Sequence, residues 1–371
     1  MSTLATGWDV GGAHLKAAQA DAGGRLLVAA QVPCPLWMGM EHLARALAEL
    51  RSRLAPSGRH AITMTGELVD LFASRAEGVA KLVAAMNAAL AGTETMYYAG
   101  PAGWLDGNAA RRRWREVASA NWHASASLAA QRRPSGLLVD IGSTTTDIVP
   151  FAGGRVAAAG MSDDERLVAE ELVYTGVTRT PVMVIAEEVR FAGKRQRQMN
   201  ELFATAADLH RLTGRLPAGA DQHASADGRG KSAKDSARRL ARMLGRDVES
   251  APLAEWRKLA AQLAERQLGS IADAARRVAR RARLDARAPV VGAGVGRFLA
   301  RDLAARLKRP YADAMEMFSG DSESLEWAAR CTPAAALAVL AASSTARSVP
   351  RRSRSSAPVR PVAHKAPRKT I

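Results

Sequence analysis

Two cysteines in 371 residues, Cys34 and Cys331, lie far apart and near no cluster of histidines. That leaves neither a disulfide framework nor a zinc site to be read. Long apolar runs are missing too. The longest, around Pro333 to Ala342, falls well short of the roughly 18 residues that a membrane span needs. A glycine motif follows the first residues directly, with no apolar signal-peptide region before it. A cytoplasmic protein without a membrane partner is expected.

Aromatic residues make up 5% of the chain and show no strand pattern suited to stacking bases. Acids are absent from residue 344 onward, where eight Lys or Arg fall in a Pro- and Ser-rich stretch. Setting those eight aside leaves 45 of the 53 basic residues against 36 acids. Much of the net charge of +17 therefore belongs to the end of the chain. "RSVPRRSRSSAPVRPVAHKAPRKT" has nothing to bury, so 344–371 reads as a disordered basic tail. The cluster "RRRWREV" at 111–117 reads as a solvated helix face. A nucleic-acid partner is not expected.

What is present favours a large fold. A hydrophobic content of 47% over this length can bury a substantial core, and two lobes are expected. Short β-branched runs alternate with amphipathic helical stretches, which gives an α/β class. "GWDVGGAHLKAAQAD" reads as strand, glycine turn, strand, with "GRLLVAAQVP" as a third strand. "GLLVDIGSTTTDIVPFAGGRVAAAG" repeats the pattern. The echo divides the chain at 1–134 and 135–343, each part opening with one hairpin.

Between and after the hairpins, helices are expected at "MEHLARALAELRSRL", "EGVAKLVAAMNAAL" and "NAARRRWREVASANWHASASLAAQR". Further helices are read at "DDERLVAEELVYTG", "QMNELFATAADLHRLTG", "KDSARRLARMLG" and "PLAEWRKLAAQLAERQLGSIADAARRVARRA". "TPVMVI" reads as a strand, and 215–231 as a polar loop. "APVVGAGVGRFLARDLAARL" reads as strand, glycine turn and helix.

The hairpins carry the chemistry. Gly11 and Gly12 permit a tight turn that leaves backbone N–H groups open to an anion. On the following strand, the period of two puts Gly12, His14 and Lys16 on one face. Asp9, just before the turn, suits Mg²⁺, a hard cation that prefers oxygen ligands. In the second hairpin Gly142 makes the turn, and Ser143, Thr144, Thr145 and Thr146 line it with donors for phosphate. Asp140 and Asp147 bracket that turn as metal ligands or as a base.

Several other motifs need weighing. "VVGAGVGRF" carries Gly292, Gly294 and Gly296, but Arg297 occupies the last position of a dinucleotide fingerprint. A helix start after a strand remains an anion site. "SADGRGKS" has Ser225 where a P-loop needs its first glycine, so Lys231 reads as a loop lysine. His123 reads as a structural histidine. Arg179 could reach a phosphate or a carboxylate, and Glu67 could face the cleft.

Together the two hairpins and the late glycine turn resemble the phosphate and adenosine motifs of actin-like ATPases. More closely, "GWDVGGAHLK", "VDIGSTTTDIVPF", "ERLVAEELVYTGVTRTPV", "NELFATAADLHRLTG" and "KDSARRLARMLGRD" resemble a hydantoinase/oxoprolinase-like family tied to tetrahydromethanopterin-linked one-carbon metabolism. The likeness runs over most of 5–343. It implies a two-lobed actin-like (ribonuclease H-like) fold with duplicated phosphate hairpins. It further implies a transferase that joins an (aminomethyl)furan-methyl diphosphate to the phenol oxygen of a tyramine- or tyrosine-type acceptor, releasing pyrophosphate. An ATP-dependent kinase or hydrolase, or a nucleotide-binding scaffold, would use the same hairpins. For the transferase, Asp9, Asp140 and Asp147 would hold Mg²⁺ and Lys16 the phosphates. The base for the phenol stays open between Asp140 and His14. The acceptor and the oligomeric state also stay open.

Overall fold

The computed structural model describes residues 4–344, so the expected tail lies, apart from Ser344, outside the described residues. In the first half the elements are β1 (Ala5–Val10), β2 (His14–Ala20), β3 (Leu26–Pro33), α1 (Met40–Arg51), β4 (Arg59–Met64) and α2 (Arg75–Ala89). Then come β5 (Glu94–Tyr98), β6 (Trp104–Leu105), α3 (Gly107–Arg112), α4 (Trp114–Val117) and α5 (Asn121–Arg132). They are followed by β7 (Ser135–Ile141), β8 (Thr146–Ala152), β9 (Arg155–Val156), α6 (Asp163–Val168), β10 (Leu172–Val173), β11 (Glu188–Phe191) and β12 (Lys194–Arg197). Next are α7 (Ala206–Leu212), α8 (Ala233–Met243), α9 (Leu253–Arg281), β13 (Val290–Ala293) and α10 (Arg297–Leu307). Last are β14 (Tyr311–Asp313), α11 (Ser322–Arg330) and α12 (Thr332–Ser343).

The repetition read in the sequence is a repetition of topology. One sheet runs β3-β2-β1-β4-β5-β6 and the other β10-β8-β7-β13-β14. In each, an antiparallel hairpin (β1–β2 or β7–β8) is followed by two strands added in parallel, β4 and β5 or β13 and β14. Glycine turns therefore leave the carboxyl ends of equivalent strands, where open α/β sheets bind ligands.

Helix α12 holds the sheets together. It is apolar on nearly every side, and Ala334 to Ala338 are fully buried. Such a helix belongs inside a core. It lies on β1 because Gly7 has no side chain: a Cβ there would stand 2.0 Å from the Ala334 carbonyl oxygen. Residues of α5 and α12 share a core with Leu138, Val149 and Phe151 of the second sheet. A separate core gathers α7, α8, the first half of α9 and the β11–β12 hairpin.

Four local expectations are corrected. "TPVMVI" is a single 3-10 turn, Val182–Val184, whose Val182 enters the core while Val184 is exposed. The helix over 108–132 is three helices, broken where Ser119 takes φ 52°. The helix read from Asp163 ends at Val168, after which β10 pairs with β8. The helix read from Gln198 begins only at Ala206, where Thr205 and Asp208 form a capping box. The loop over 215–231 contains no helix or strand. Among the described residues, no helix is long and apolar enough to cross a membrane.

Candidate active site

The two hairpin turns face a common cleft of about 510 Å³. Gly11 and Gly12 line it from the first turn, and Gly142, Ser143, Thr144 and Thr145 from the second. Segment 176–179 braces the second turn. The amides of Val177 and Arg179 donate to the Gly142 and Ser143 carbonyls at 3.0 and 2.9 Å. Gly176 allows that approach, since a Cβ would stand 2.5 Å from the Thr144 nitrogen.

Asp9 and Asp140 occupy equivalent places, each next to last in the first strand of its hairpin. Opposite Asp9 stands Lys16, and opposite Asp140 stands Asp147. The Lys16 ammonium donates to Asp9 Oδ2 at 3.1 Å. Burial alone would lower the Lys16 pKa, but Asp9, with smaller contributions from Cys331 and Asp140, holds the amine above its ordinary value. Lys16 is thus a fixed cation on the floor.

The second hairpin solves the charge problem differently. Asp147 pairs with Arg166 at 2.9 Å, and Arg166 is itself buried against the face of Trp122. Burial raises the Asp147 pKa, against the pull of Arg166. The Asp140 side chain is buried, and among the described residues no hydrogen bond to its carboxyl is found. Burial, then the nearby Asp147, pushes its carboxyl up to about 7, with Lys16 pulling the other way. A proton acceptor with that affinity matches neutral pH.

His14 does not match it. Burial, followed by repulsion from His223, Lys16 and Arg179, lowers His14 to about 2. Its Nε2 has no partner, and its ring meets His223 edge-on at 4.7 Å. His14 is therefore a neutral wall of the cleft and a poor base. His223 comes from the 215–231 loop, which Lys231 ties down by donating to the Asp221 and His223 carbonyls at 2.9 and 2.5 Å.

Other expected site residues lie elsewhere. Thr146 is buried and donates to the Thr175 carbonyl at 2.7 Å, away from the cleft. Gly292, Gly294 and Gly296 do not line the cleft. The Gly294 and Gly296 amides already donate to Ala329 and Ile141, so close packing against β7 is their role. Glu67 sits behind the wall, bonded by Arg75 at 2.9 Å and Ser119 at 3.0 Å. Burial raises its pKa, only partly opposed by Arg75. His123 is buried beside the Tyr98 hydroxyl at 2.9 Å. Arg179 does line the cleft.

Asp9, Asp140 and Asp147 do not make a ready cage: among the described residues no three His, Cys, Asp or Glu side chains converge as a metal site. The residues still fit Mg²⁺ in its usual manner, with few protein ligands and substrate phosphates supplying the rest. Asp9 Oδ1 is a buried oxygen with no hydrogen-bond partner. Arg166 was missed in the sequence, where it is one of many arginines; only its position in an acidic helix start marks it.

Comparison with known proteins identifies the family and the fold. The hydantoinase/oxoprolinase family model matches residues 59–318. A protein of Methanocaldococcus jannaschii, named (4-{4-[2-(gamma-L-glutamylamino)ethyl]phenoxymethyl}furan-2-yl)methanamine synthase, is 29% identical over 303 residues, 81% of this chain and 89% of that one. A protein of the same name from Methanococcus vannielii is 32% identical over 112 residues, 30% of this chain and 50% of that one. Among solved structures, nucleotide-free acetone carboxylase superposes with a TM-score of 0.51 at 9% identity, covering 92% of this chain and 70% of that one. The architecture is the two-lobed actin-like ATPase fold, built on two equivalent sheets with repeated hairpins.

Proposed function

We propose, from the premise that this chain belongs to the hydantoinase/oxoprolinase family, that it is a cytoplasmic furfuryl transferase acting on small molecules. It joins an (aminomethyl)furan-methyl diphosphate to the phenol oxygen of a glutamyltyramine- or tyrosine-type acceptor, releasing pyrophosphate, in the making of a methanofuran-type one-carbon carrier. Both archaeal relatives are named for a product with a phenoxymethyl link on a furan. One observation carries the reading. A fixed cation, Lys16, and a buried carboxylate with raised proton affinity, Asp140, share a cleft between two glycine turns.

In this reading the turns and Lys16 bind the diphosphate. The phenol oxygen forms a bond to the furfuryl carbon while the bond from that carbon to the diphosphate breaks. The electron pair leaves on pyrophosphate, whose growing charge meets Lys16 and the turn amides. Asp140 takes the phenolic proton, since an unperturbed phenol with a pKa of about 10 is a weak nucleophile until it loses it. Asp9 would hold a Mg²⁺ ion, which would supply further neutralisation of the leaving group. Arg166 holds Asp147 out of the proton transfer.

The test is pyrophosphate release by the full chain, with each component omitted in turn. Release should need furan diphosphate, phenol and Mg²⁺, and should proceed without ATP, because the donor already carries its leaving group. Phosphate appearing from ATP in step with product would overturn the transferase reading.

A further inference from the structure

A diphosphate accounts for the floor of the cleft but not for its mouth. Trp37 and Tyr174 line it there at 40% and 62% exposure, in a chain whose other large aromatics include the fully buried Trp8, Trp122 and Trp256. The Arg179 guanidinium lies 4.8 Å from the Trp37 ring, and Tyr174 lines the same cleft. Among the described residues Arg179 has no carboxylate partner; its one side-chain hydrogen bond reaches Thr144 Oγ1 at 3.4 Å.

Trp37 and Arg179 are tied to the phosphate turns, and Tyr174 follows β10, which pairs with β8 just past the second turn. Leu36, beside Trp37, donates its amide to the Gly12 carbonyl at 3.0 Å. Arg179 donates its amide to the Ser143 carbonyl, and the Thr146 hydroxyl holds the carbonyl of Thr175, next to Tyr174. An occupant of this cluster would therefore sit directly beside the diphosphate. A guanidinium stacked on an indole keeps its N–H donors in the plane, pointing past the ring. That fork matches a carboxylate, and the neighbouring ring faces match an aromatic group.

We infer that Trp37, Tyr174 and Arg179 form the acceptor subsite, taking an aromatic ring that bears a carboxylate on a short flexible arm. The inference rests on the transferase reading for the identity of that ring as the reacting phenol. Trp37 and Tyr174 hold the ring against the second turn, and Arg179 takes the carboxylate. The phenol oxygen then points inward, toward Asp140.

The test uses the full chain as wild type, Arg179→Gln, Trp37→Ala and Trp37→Phe. Three ligands are titrated separately: γ-glutamyltyramine, tyramine, which keeps the phenol but has no carboxylate, and Mg²⁺ with inorganic pyrophosphate. Wild type should bind γ-glutamyltyramine more tightly than tyramine. Arg179→Gln should weaken γ-glutamyltyramine by about tenfold or more, the usual loss of a charge-assisted bond, and leave tyramine unchanged. Trp37→Ala should weaken both phenols, and Trp37→Phe should restore them. Pyrophosphate affinity should be unchanged throughout.

If Arg179→Gln instead weakens pyrophosphate and preserves the preference for γ-glutamyltyramine, Arg179 belongs to the diphosphate and the subsite is wrong. Unchanged phenol binding in both Trp37→Ala and Arg179→Gln overturns it equally. Wild-type turnover separates this failure from that of the transferase. No product from the two substrates sinks the reaction itself, whereas normal product with indifferent variants sinks only the subsite.

Discussion

Asp140 is a carboxylate held where its surroundings oppose its charge. Burial and Asp147 raise its pKa from 3.8 to about 7. Below pH of about 4 it is protonated in folded and unfolded chains alike. As pH rises from about 4 to 7, the unfolded chain gives up this proton while the folded chain keeps it, so stability falls across that window. Above about 7 the loss is complete, on the order of a few kcal/mol at about 1.4 kcal/mol per tenfold change in proton affinity. Asp140→Asn should therefore melt higher than wild type near pH 8, match it near pH 4, and release no pyrophosphate. A variant that is inactive but no more stable at high pH would show that Asp140 is not a strained base. Lys16 is the complementary case. Lys16→Ala should cut turnover by about 10²-fold, as loss of one preorganised donor to a developing anion does. It also leaves Asp9 buried and unpaired, so single-turnover kinetics must be read beside a melting curve. Lys16 was legible from strand periodicity, and Asp140 from its place just before a glycine turn. Arg166 was not, because its partner Asp147 lies across the fold and no local pattern records that pairing.

Among the elements, two glycines separate folding from binding. Gly7 lets α12 rest on β1, and an added Cβ would meet the Ala334 oxygen at 2.0 Å and the Ala338 nitrogen at 2.6 Å. Backbone cannot yield there as a side-chain tip could. Gly7→Ala should cost about 3 kcal/mol of stability, typical of overpacking, read from the urea midpoint. Gly176→Ala intrudes on the second turn instead, so it should weaken pyrophosphate binding more than it lowers the midpoint. Equal losses in both properties for both variants would refute that division. The hairpins, α8, α9 and α10 were readable because period and turn residues agree locally. The split of 108–132 and the short α6 were not, since each depends on a partner remote in sequence. Ser119, for example, takes φ 52° while bonded to Glu67 and Asp163. The run from Pro333 gave its apolar character plainly, but not its place against the first sheet.

For the molecule as a whole, the cleft exists only because two sheets present equivalent turns to each other. Lys16 and the first glycine turn come from one sheet, and Asp140 and Ser143 to Thr145 belong to the hairpin of the other. A diphosphate that touches both turns binds only the folded, assembled pair. Mg²⁺ with pyrophosphate at about 100 times its dissociation constant should then stabilise the protein by about 2.7 kcal/mol. In a chain of this size that is a rise of several degrees in Tm. Disabling either turn should remove most of the rise: Lys16→Ala from the first sheet, or Gly176→Ala through its pressure on the second. The double variant should then lose little more than either single one, because a ligand that needs both turns is already released when one fails. Additive losses, each single variant keeping about half the shift, would mean that the turns bind separate anions. The repeated hairpins would then be two sites rather than the two halves of one.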